Sequence, residues 1–446
     1  MNIIIMGAGE VGTHLATMLS KEYHDVTVID PDAQKLEELS AAADVVTIEG
    51  SATSISVLNE ANAKRSDLLI AVSTSEEANI VGAAVAKRLG VKKAIARIDR
   101  YELLENNNKE IFLNLGIDSL IYPEKLAAQE VITLLDQTNS TEFVSFSDGM
   151  LSLLVIKLDE ESPLLGKTLQ QCTPNVANLD YRAVAISREG STIIPRATDV
   201  FELGDMVYVI ANRNGVKDVE EHSGKRNFEV NNLMILGGSR IAVHVASALE
   251  EKMNVKIIEE NRERSMVLSE KFQNVLVING DGRNTDLLIE EGLPYMDAFV
   301  AVTGDSETNI LSCLVAKRLG VRRTIAEIEN INYIRLAESM DIDTVINKKL
   351  ITASRIFRYT MNTDVSSIKC LTGTEAEVLE FVVKPGAPVT RGTLKQVAFP
   401  SDAIVGGVVR GDYSYIVKGD SELKAYDRVV VFALPSAINK IGKFFN

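Results

Sequence analysis

Apolar residues along this chain fall into short runs separated by longer stretches of amphipathic helical spacing, and the whole arrangement occurs twice. The runs NIIIM (2–6), DVTVID (25–30), DVVTIEG (44–50), DLLIAVS (67–73) and KAIARID (93–99) are brief, β-branched and bounded by turn residues. Stretches such as VGTHLATMLSK and EEANIVGAAVAKRLG between them read as helices. Strands alternating with helices predict a doubly wound parallel sheet. Strands buried on both faces should be almost wholly apolar, as IIIM and LLIAV are. Thr74 with Glu77 three residues on forms a capping box for the helix after LLIAVS. SLIY leads through Pro123 into EKLAAQEVITLLD, a helix placed to carry the chain out of the module.

From about Thr141 to Glu220 the pattern shortens to period-two alternation with turn signals and one clear helix, which predicts a small strand-rich α/β module of about 80 residues. The polar run EEHSGKRN (220–227) reads as a linker. The first pattern then restarts at Asn231 and the second near Val365. AVSTSEEANIVGAAVAKRLGV (71–91) returns as AVTGDSETNILSCLVAKRLGV (301–321), and SPLLGKTLQQ returns as APVTRGTLKQ. The architecture is A–B–A′–B′, with expected domains at 1–137, 138–222, 230–362 and 363–446.

Composition narrows the function. With 446 residues the chain is too long for one core. No apolar run approaches the roughly 20 residues that span a bilayer. Net charge is −15, which disfavours nucleic acid and anionic lipid as direct partners. Cys172, Cys313 and Cys370 lack any CxxC or metal spacing, so a reducing, cytoplasmic compartment is expected.

The chemistry concentrates at one turn. Gly7-Ala8-Gly9-Glu10-Val11-Gly12 follows the first strand and opens a helix. In such a fingerprint the first glycine makes the tight turn, the second lets backbone approach a diphosphate, and the third lets helix pack on strand. The phosphates would rest on the helix N-terminus, whose free N–H groups and dipole favour anions. Asp30 ends the second strand about 20 residues on, where a carboxylate holds a ribose through both hydroxyls. A 2′-phosphate there would meet Asp30 as a like charge, so NADP should be rejected. Ser51 with Ala52, and Ser73 with Thr74, lie on loops after the third and fourth strands. Arg97 stands at the end of the fifth as a candidate phosphate or ribose partner.

The second copy is altered at these positions. Gly237 and Gly238 remain, Ser239 and Ala242 replace Gly9 and Gly12, and Glu259 replaces Asp30. Asp281 stands for Ser51, and Glu327 replaces Arg97, which opposes an anion. Three readings stay open for this site: the same ligand, a different nucleotide, or scaffold alone. An oxidoreductase would need a catalytic constellation. The four histidines, His14, His24, His222 and His244, join no metal, acid–base or nucleophile motif, and His14 and His244 read as satisfied helix residues.

On GAGEVG with Asp30, SDLLIAVSTSEEANIVGAAVAKRLG, DAFVAVTGDSETNILSCLVAKRLG and IVGGVVRGDYSYIVKGDSELKAYDRVVVF, the chain resembles the TrkA family of Trk potassium uptake regulatory subunits. These are tandem pairs of RCK (regulator of K⁺ conductance) units, and the resemblance covers essentially the full length. It implies two Rossmann-like domains, each followed by a small α+β RCK C-terminal (TrkA-C) domain. It also implies a peripheral cytoplasmic protein, not an enzyme, that binds NAD⁺ or NADH. Such a protein gates a membrane-embedded, TrkH-like potassium-translocating subunit. Related regulators use ATP or ADP, which an Asp at the ribose does not distinguish from NAD. Eight-lobed family rings imply a homotetramer here. The resemblance carries nucleotide contacts onto Gly7, Ala8, Gly9, Glu10 and Val11, with Asp30, Ser73, Thr74 and Arg97. In the second half it carries them onto Gly237, Gly238, Ser239, Arg240 and Ile241, with Glu259, Thr303 and Gly304, while Glu327 departs from the family's arginine.

Overall fold

The structure, a computed structural model, describes every residue except 139, 173–179, 189–190, 225–226, 341, 358, 360–364 and 372–375. Residues 106, 332, 335, 338, 365–370 and 439 are described by backbone alone, so the Cys370 side chain lies outside the description. The chain divides into two compact units, Met1–Leu126 with Lys349–Thr363, and Ala127–Lys348 with Asp364–Asn446.

In the first unit, strands β1 (Asn2–Met6), β2 (Asp25–Asp30), β3 (Val46–Glu49), β4 (Leu68–Ala71), β5 (Lys93–Arg97) and β6 (Ser119–Ile121) form one sheet in the order β3-β2-β1-β4-β5-β6. All its pairings are parallel, with Ile5 beside Val28 on one side and Ile70 on the other. The order reverses between β1 and β4. At such a switch point two loops diverge from the strands' carboxyl ends and leave a crevice. Burial explains the apolar runs: Ile3, Ile4, Ile5, Leu68, Leu69 and Ile70 are all at most 1% exposed. The helix Glu76–Leu89 lays Ala83 and Ala86 on the sheet. Gly82 lies so close to it that a Cβ there would stand 2.6 Å from the Met6 sulfur. Ser75, rather than Thr74, caps this helix, its hydroxyl accepting from the Ala78 N–H at 3.1 Å. Glu77 therefore falls one position short of a capping box.

The second unit begins with an antiparallel sheet of β7 (Glu142–Phe146), β8 (Leu151–Lys157), β9 (Tyr181–Arg188), β10 (Ser191–Ile193) and β11 (Met206–Asn212), ordered β10-β9-β11-β8-β7. The helix Gly215–Ser223 follows and ends on Gly224 in the left-handed region, so the run read as a linker begins inside a helix. A second parallel sheet repeats the first: β12 (Asn232–Leu236), β13 (Asn254–Glu259), β14 (Val275–Asn279), β15 (Ala298–Ala301), β16 (Arg323–Glu327) and β17 (Thr344–Ile346), ordered β14-β13-β12-β15-β16-β17. The last sheet holds β18 (Val365–Cys370), β19 (Glu377–Val382), β20 (Ala403–Arg410), β21 (Tyr413–Ile416) and β22 (Arg428–Ala433), ordered β18-β19-β22-β20-β21. Matching strands occupy matching places in the two antiparallel sheets.

The likeness extends to their polar anchors. Arg188 Nε donates to the fully buried Asp205 at 2.7 Å, and Arg410 Nε donates to the equally buried Asp427 at 2.7 Å. One face of each antiparallel sheet joins a shared core in which Phe146, Leu153 and Ile210 meet Val378, Val430 and Phe432. The Tyr208 and Phe432 rings lie 5.8 Å apart there. Each small sheet thus covers the other's apolar face, which a single five-stranded sheet could not do alone.

Candidate functional site

The glycine turn after β1 is built as the fingerprint predicts, but its three glycines are held for different reasons. Gly7 has φ +107°, and a Cβ there would stand 2.8 Å from the Ser73 Cα. Backbone conformation and close approach both exclude a side chain. Gly12 has its constraint in packing, since a Cβ would lie 1.8 Å from the Gly7 carbonyl oxygen. Gly9 has neither constraint. Its φ is −72°, open to any residue, and no atom lies within 4 Å of where its Cβ would be. It also caps the helix Glu10–Lys21 without a side-chain hydrogen bond. The first-turn N–H groups therefore face open space beside an unsubstituted backbone, the setting a helix N-terminus offers to an anion.

Asp30 closes the other side. It is 8% exposed, its Oδ2 accepts from the Ala8 N–H at 2.6 Å, and its Oδ1 accepts from the Asp32 N–H at 2.9 Å. The carboxylate is thereby fixed against the glycine turn. Val11 is buried, while Glu10, first in the helix, pairs with Lys349 from the segment 349–363. That cation offsets a negative charge that would otherwise oppose an anion at this helix end. Burial holds the Lys349 ammonium below its ordinary pKa.

The remaining predicted residues divide. Ser73 abuts Gly7, so the β4 loop and the glycine turn are in contact. Its N–H and hydroxyl both donate to the Asn79 Oδ1, at 2.9 and 2.7 Å. The Asn79 amide in turn donates to the carbonyls of Ser73 at 3.0 Å and Arg97 at 3.1 Å. Arg97 Nη2 pairs with Asp99 at 3.1 Å, and its buried Nε has no partner among the described residues. A buried donor without an acceptor costs about 1–3 kcal/mol, so this atom suits a ligand oxygen. Thr74 is exposed, and Ser51 is exposed with its hydroxyl on Thr53 at 2.7 Å. Ala52 is buried in the core.

Three contributors were not foreseen from sequence: Asn79, Lys349 and Glu76. Glu76 accepts from the N–H groups of Asp99 at 2.6 Å and Arg100 at 2.8 Å, and from Arg100 Nε at 2.5 Å. Burial pushes its carboxyl up, but these bonds and the guanidinium outweigh that and hold its pKa below the usual value. Asn79 could have been noticed, because EEANI and SETNI keep it in both copies. Lys349 carried no local signal.

The second site keeps the frame and loses the opening. Gly237 has φ +93° and lies against Thr303, and Gly238 donates to Glu259 Oε2 at 2.6 Å while Oε1 accepts from Asn261 at 2.7 Å. Asn309 latches Thr303 and the Glu327 carbonyl as Asn79 does in the first copy. Ser239, however, caps its own helix, Oγ accepting from the Ala242 N–H at 3.4 Å. A protein hydroxyl thus occupies a donor that the first site leaves open. Glu327 is 3% exposed beside Lys348 at 3.3 Å, while Asp281 takes a bidentate bond from Arg283, Nε donating to Oδ1 and Nη2 to Oδ2, both at 2.9 Å. Arg240 and Gly304 are exposed, and Ile241 is core.

Family models match in the same alternation. A TrkA-N domain model matches residues 3–123 and 233–348, and a TrkA-C domain model matches 153–224 and 378–446. The chain is 32% identical over 439 residues to the Trk system potassium uptake protein TrkA of Vibrio alginolyticus, covering 97% of this chain and 95% of that one. To the TrkA homolog of Archaeoglobus fulgidus it is 33% identical over 449 residues, covering all of both. Among solved structures, the GsuK RCK domain superposes with TM-score 0.59 at 15% identity over 100% of this chain and 94% of that one. The GsuK channel bound to NAD gives TM-score 0.60 at 15% identity over 100% and 78%. The fold is therefore that of paired RCK domains, and the chain belongs to the TrkA family of Trk-system potassium uptake proteins.

Proposed function

We propose that this protein is a nucleotide-sensing regulatory subunit that binds NAD⁺ or NADH at its first glycine turn and gates a TrkH-like potassium-translocating subunit from the cytoplasmic side. The observation that carries the reading is Gly9, a glycine that nothing in the protein itself requires, beside an uncapped helix N-terminus. Asp30 would take the ribose hydroxyls, the N–H groups after Gly9 the diphosphate, and Arg97 Nε a further ligand oxygen. Gly7, Ala8, Glu10, Val11, Gly12, Ser73 and Thr74 frame that cleft. ADP or ATP is the second reading, because a related channel structure holds ADP and Asp30 reads only the ribose. The self-capped Ser239 and the acid at 327 support one nucleotide per chain, with the second module as scaffold.

The domains would run 1–137, 138–222, 230–362 and 363–446, two lobes per chain, and four chains would complete an eight-lobed ring. Nucleotide can shift such a ring only by its differential affinity for two ring states, about 1–3 kcal/mol per site. Four coupled sites at about 1.4 kcal/mol or more each would then reach the roughly 5.5 kcal/mol of a near-complete switch. Nucleotide-dependent potassium uptake in cells carrying Asp30→Ala tests the reading. Uptake should lose its response in parallel with NADH binding. A variant that no longer binds nucleotide yet responds to it in full would refute the proposal.

A further inference from the structure

The first TrkA-C module contains a cavity of about 490 Å³, within the range of small-molecule sites. Its wall is mainly apolar, with Ile156, Leu158, Leu169, Phe201, Val207 and Val219 lining it between the outer face of the sheet and the helix Gly215–Ser223. The cavity is half open to solvent, and an exposed apolar concavity of this size suits a ligand. The duplicate module packs the matching positions differently. Leu158 and Val383 make the same hydrogen bond to the carbonyls of the matched Asp205 and Asp427, which fixes the correspondence. Counting from Leu158 and Val383, Ile156 stands where the second module has Phe381; counting from the aspartates, His222 and Ser223 stand where it has Phe444 and Phe445. There the Phe381 and Phe445 rings stack at 4.5 Å, Phe399 lies 5.3 Å from Phe444, and Phe445 is fully buried. The second copy places aromatic rings at these three positions, whereas the first has its aromatic rings at Tyr181 and Phe201, where the second has Ala403 and Leu423.

The polar groups around the space are specific in sign. Arg182, at the end bounded by residues 417–419, donates from Nη1 to the Val417 carbonyl at 3.2 Å. It forms no ion pair among the described residues, although burial desolvates its guanidinium. Among the described residues, four of its five N–H donors remain for an acceptor. Tyr181 Oη and His222 Nδ1, 3.2 Å apart, belong to the polar part of the wall, with Gln170, Ser223 and Lys418. An apolar chamber bordered at one end by the basic residues Arg182 and Lys418 complements a molecule with an apolar tail and one negative head. A buried guanidinium binds a carboxylate bidentately and favours it strongly over a neutral group.

We propose that this cavity is a binding site for an apolar monocarboxylate, an alkanoic acid of medium chain length, with its tail against the β8–β11 face and its carboxylate on Arg182. The site is separate in position and chemistry from the nucleotide cleft and does not depend on it. Calorimetric titration of the full-length protein with n-alkanoates from butanoate to dodecanoate, each below its micellar concentration, tests it. Saturable binding at one per chain is expected, tightening with tail length, with decanol at least about tenfold weaker than decanoate. Arg182→Gln should weaken decanoate at least about tenfold. Ser223→Phe, which introduces the second module's residue, should abolish its binding while NADH titration stays unchanged. If Ser223→Phe lowers the melting temperature, Arg182→Gln and the decanol comparison decide. Absence of saturable binding by any alkanoate, equal affinity for decanol, or an unaltered decanoate affinity in Arg182→Gln would overturn the proposal.

Discussion

Gly9→Ala separates a glycine kept for a ligand from one kept for the fold. The added methyl meets no atom within 4 Å, and φ of −72° suits alanine. Alanine is a poorer N-cap than glycine, but it also reduces unfolded-chain entropy, so stability should change by no more than about 1 kcal/mol. That corresponds to at most about 4 °C in melting temperature for a domain of 150–250 residues. Binding should respond quite differently. The methyl stands where a diphosphate must approach the helix N-terminus, displacing it from at least two charge-assisted N–H contacts. At about 1.5–3 kcal/mol each, their loss costs at least about 3 kcal/mol, or more than 100-fold in affinity. Differential scanning fluorimetry and NADH calorimetry read the two quantities on one preparation. NADH affinity within threefold of the parent, with the protein still folded, would refute the proposed path of the diphosphate. Gly12→Ala is the contrasting control, because its methyl would lie 1.8 Å from the Gly7 oxygen and must disturb the turn itself.

Asp30 predicts cofactor choice: NADPH should bind at least about tenfold more weakly than NADH in calorimetric competition, because its 2′-phosphate adds a like charge beside the carboxylate. Glu22 predicts a pH dependence. Burial pushes its carboxyl up from 4.5 to about 8, so between these values the folded chain holds a proton that the unfolded chain has lost. Stability contributed by this group must then fall as pH rises from about 5 to about 8. Glu22→Gln should therefore stabilise the protein at pH 9, by up to a few kcal/mol, and do little at pH 5, as melts across that range will show. Phe432→Ala, in the core shared by the two small sheets, should cost about 3–5 kcal/mol in denaturant unfolding.

Local chemistry was legible from sequence wherever a contact lay near in the chain. Both parallel sheets follow from apolar runs and helical spacing, and the glycine turn with Asp30 follows from a spacing set by one βαβ unit. The Thr74 cap was misplaced by one residue, because three hydroxyl residues, Ser73, Thr74 and Ser75, stand in a row and only Ser75 has the N-cap geometry. What escaped was non-local. Lys349 reaches Glu10 across more than 300 residues, and no periodicity encodes that. The chamber in the first TrkA-C module could be read only by laying it over its copy, where His222 and Ser223 correspond to Phe444 and Phe445. The closed second site was half legible: Ser239 was visible as a departure, but its role as a cap needed the helix geometry.

The most direct test of the central claim is the stoichiometry of nucleotide binding to the full-length protein, measured by calorimetry with NAD⁺, NADH, ADP and ATP. The account predicts one site per chain, lost in Gly9→Ala and unchanged in Ser239→Ala. Failure of all four nucleotides to bind, or two equivalent sites per chain, would contradict it.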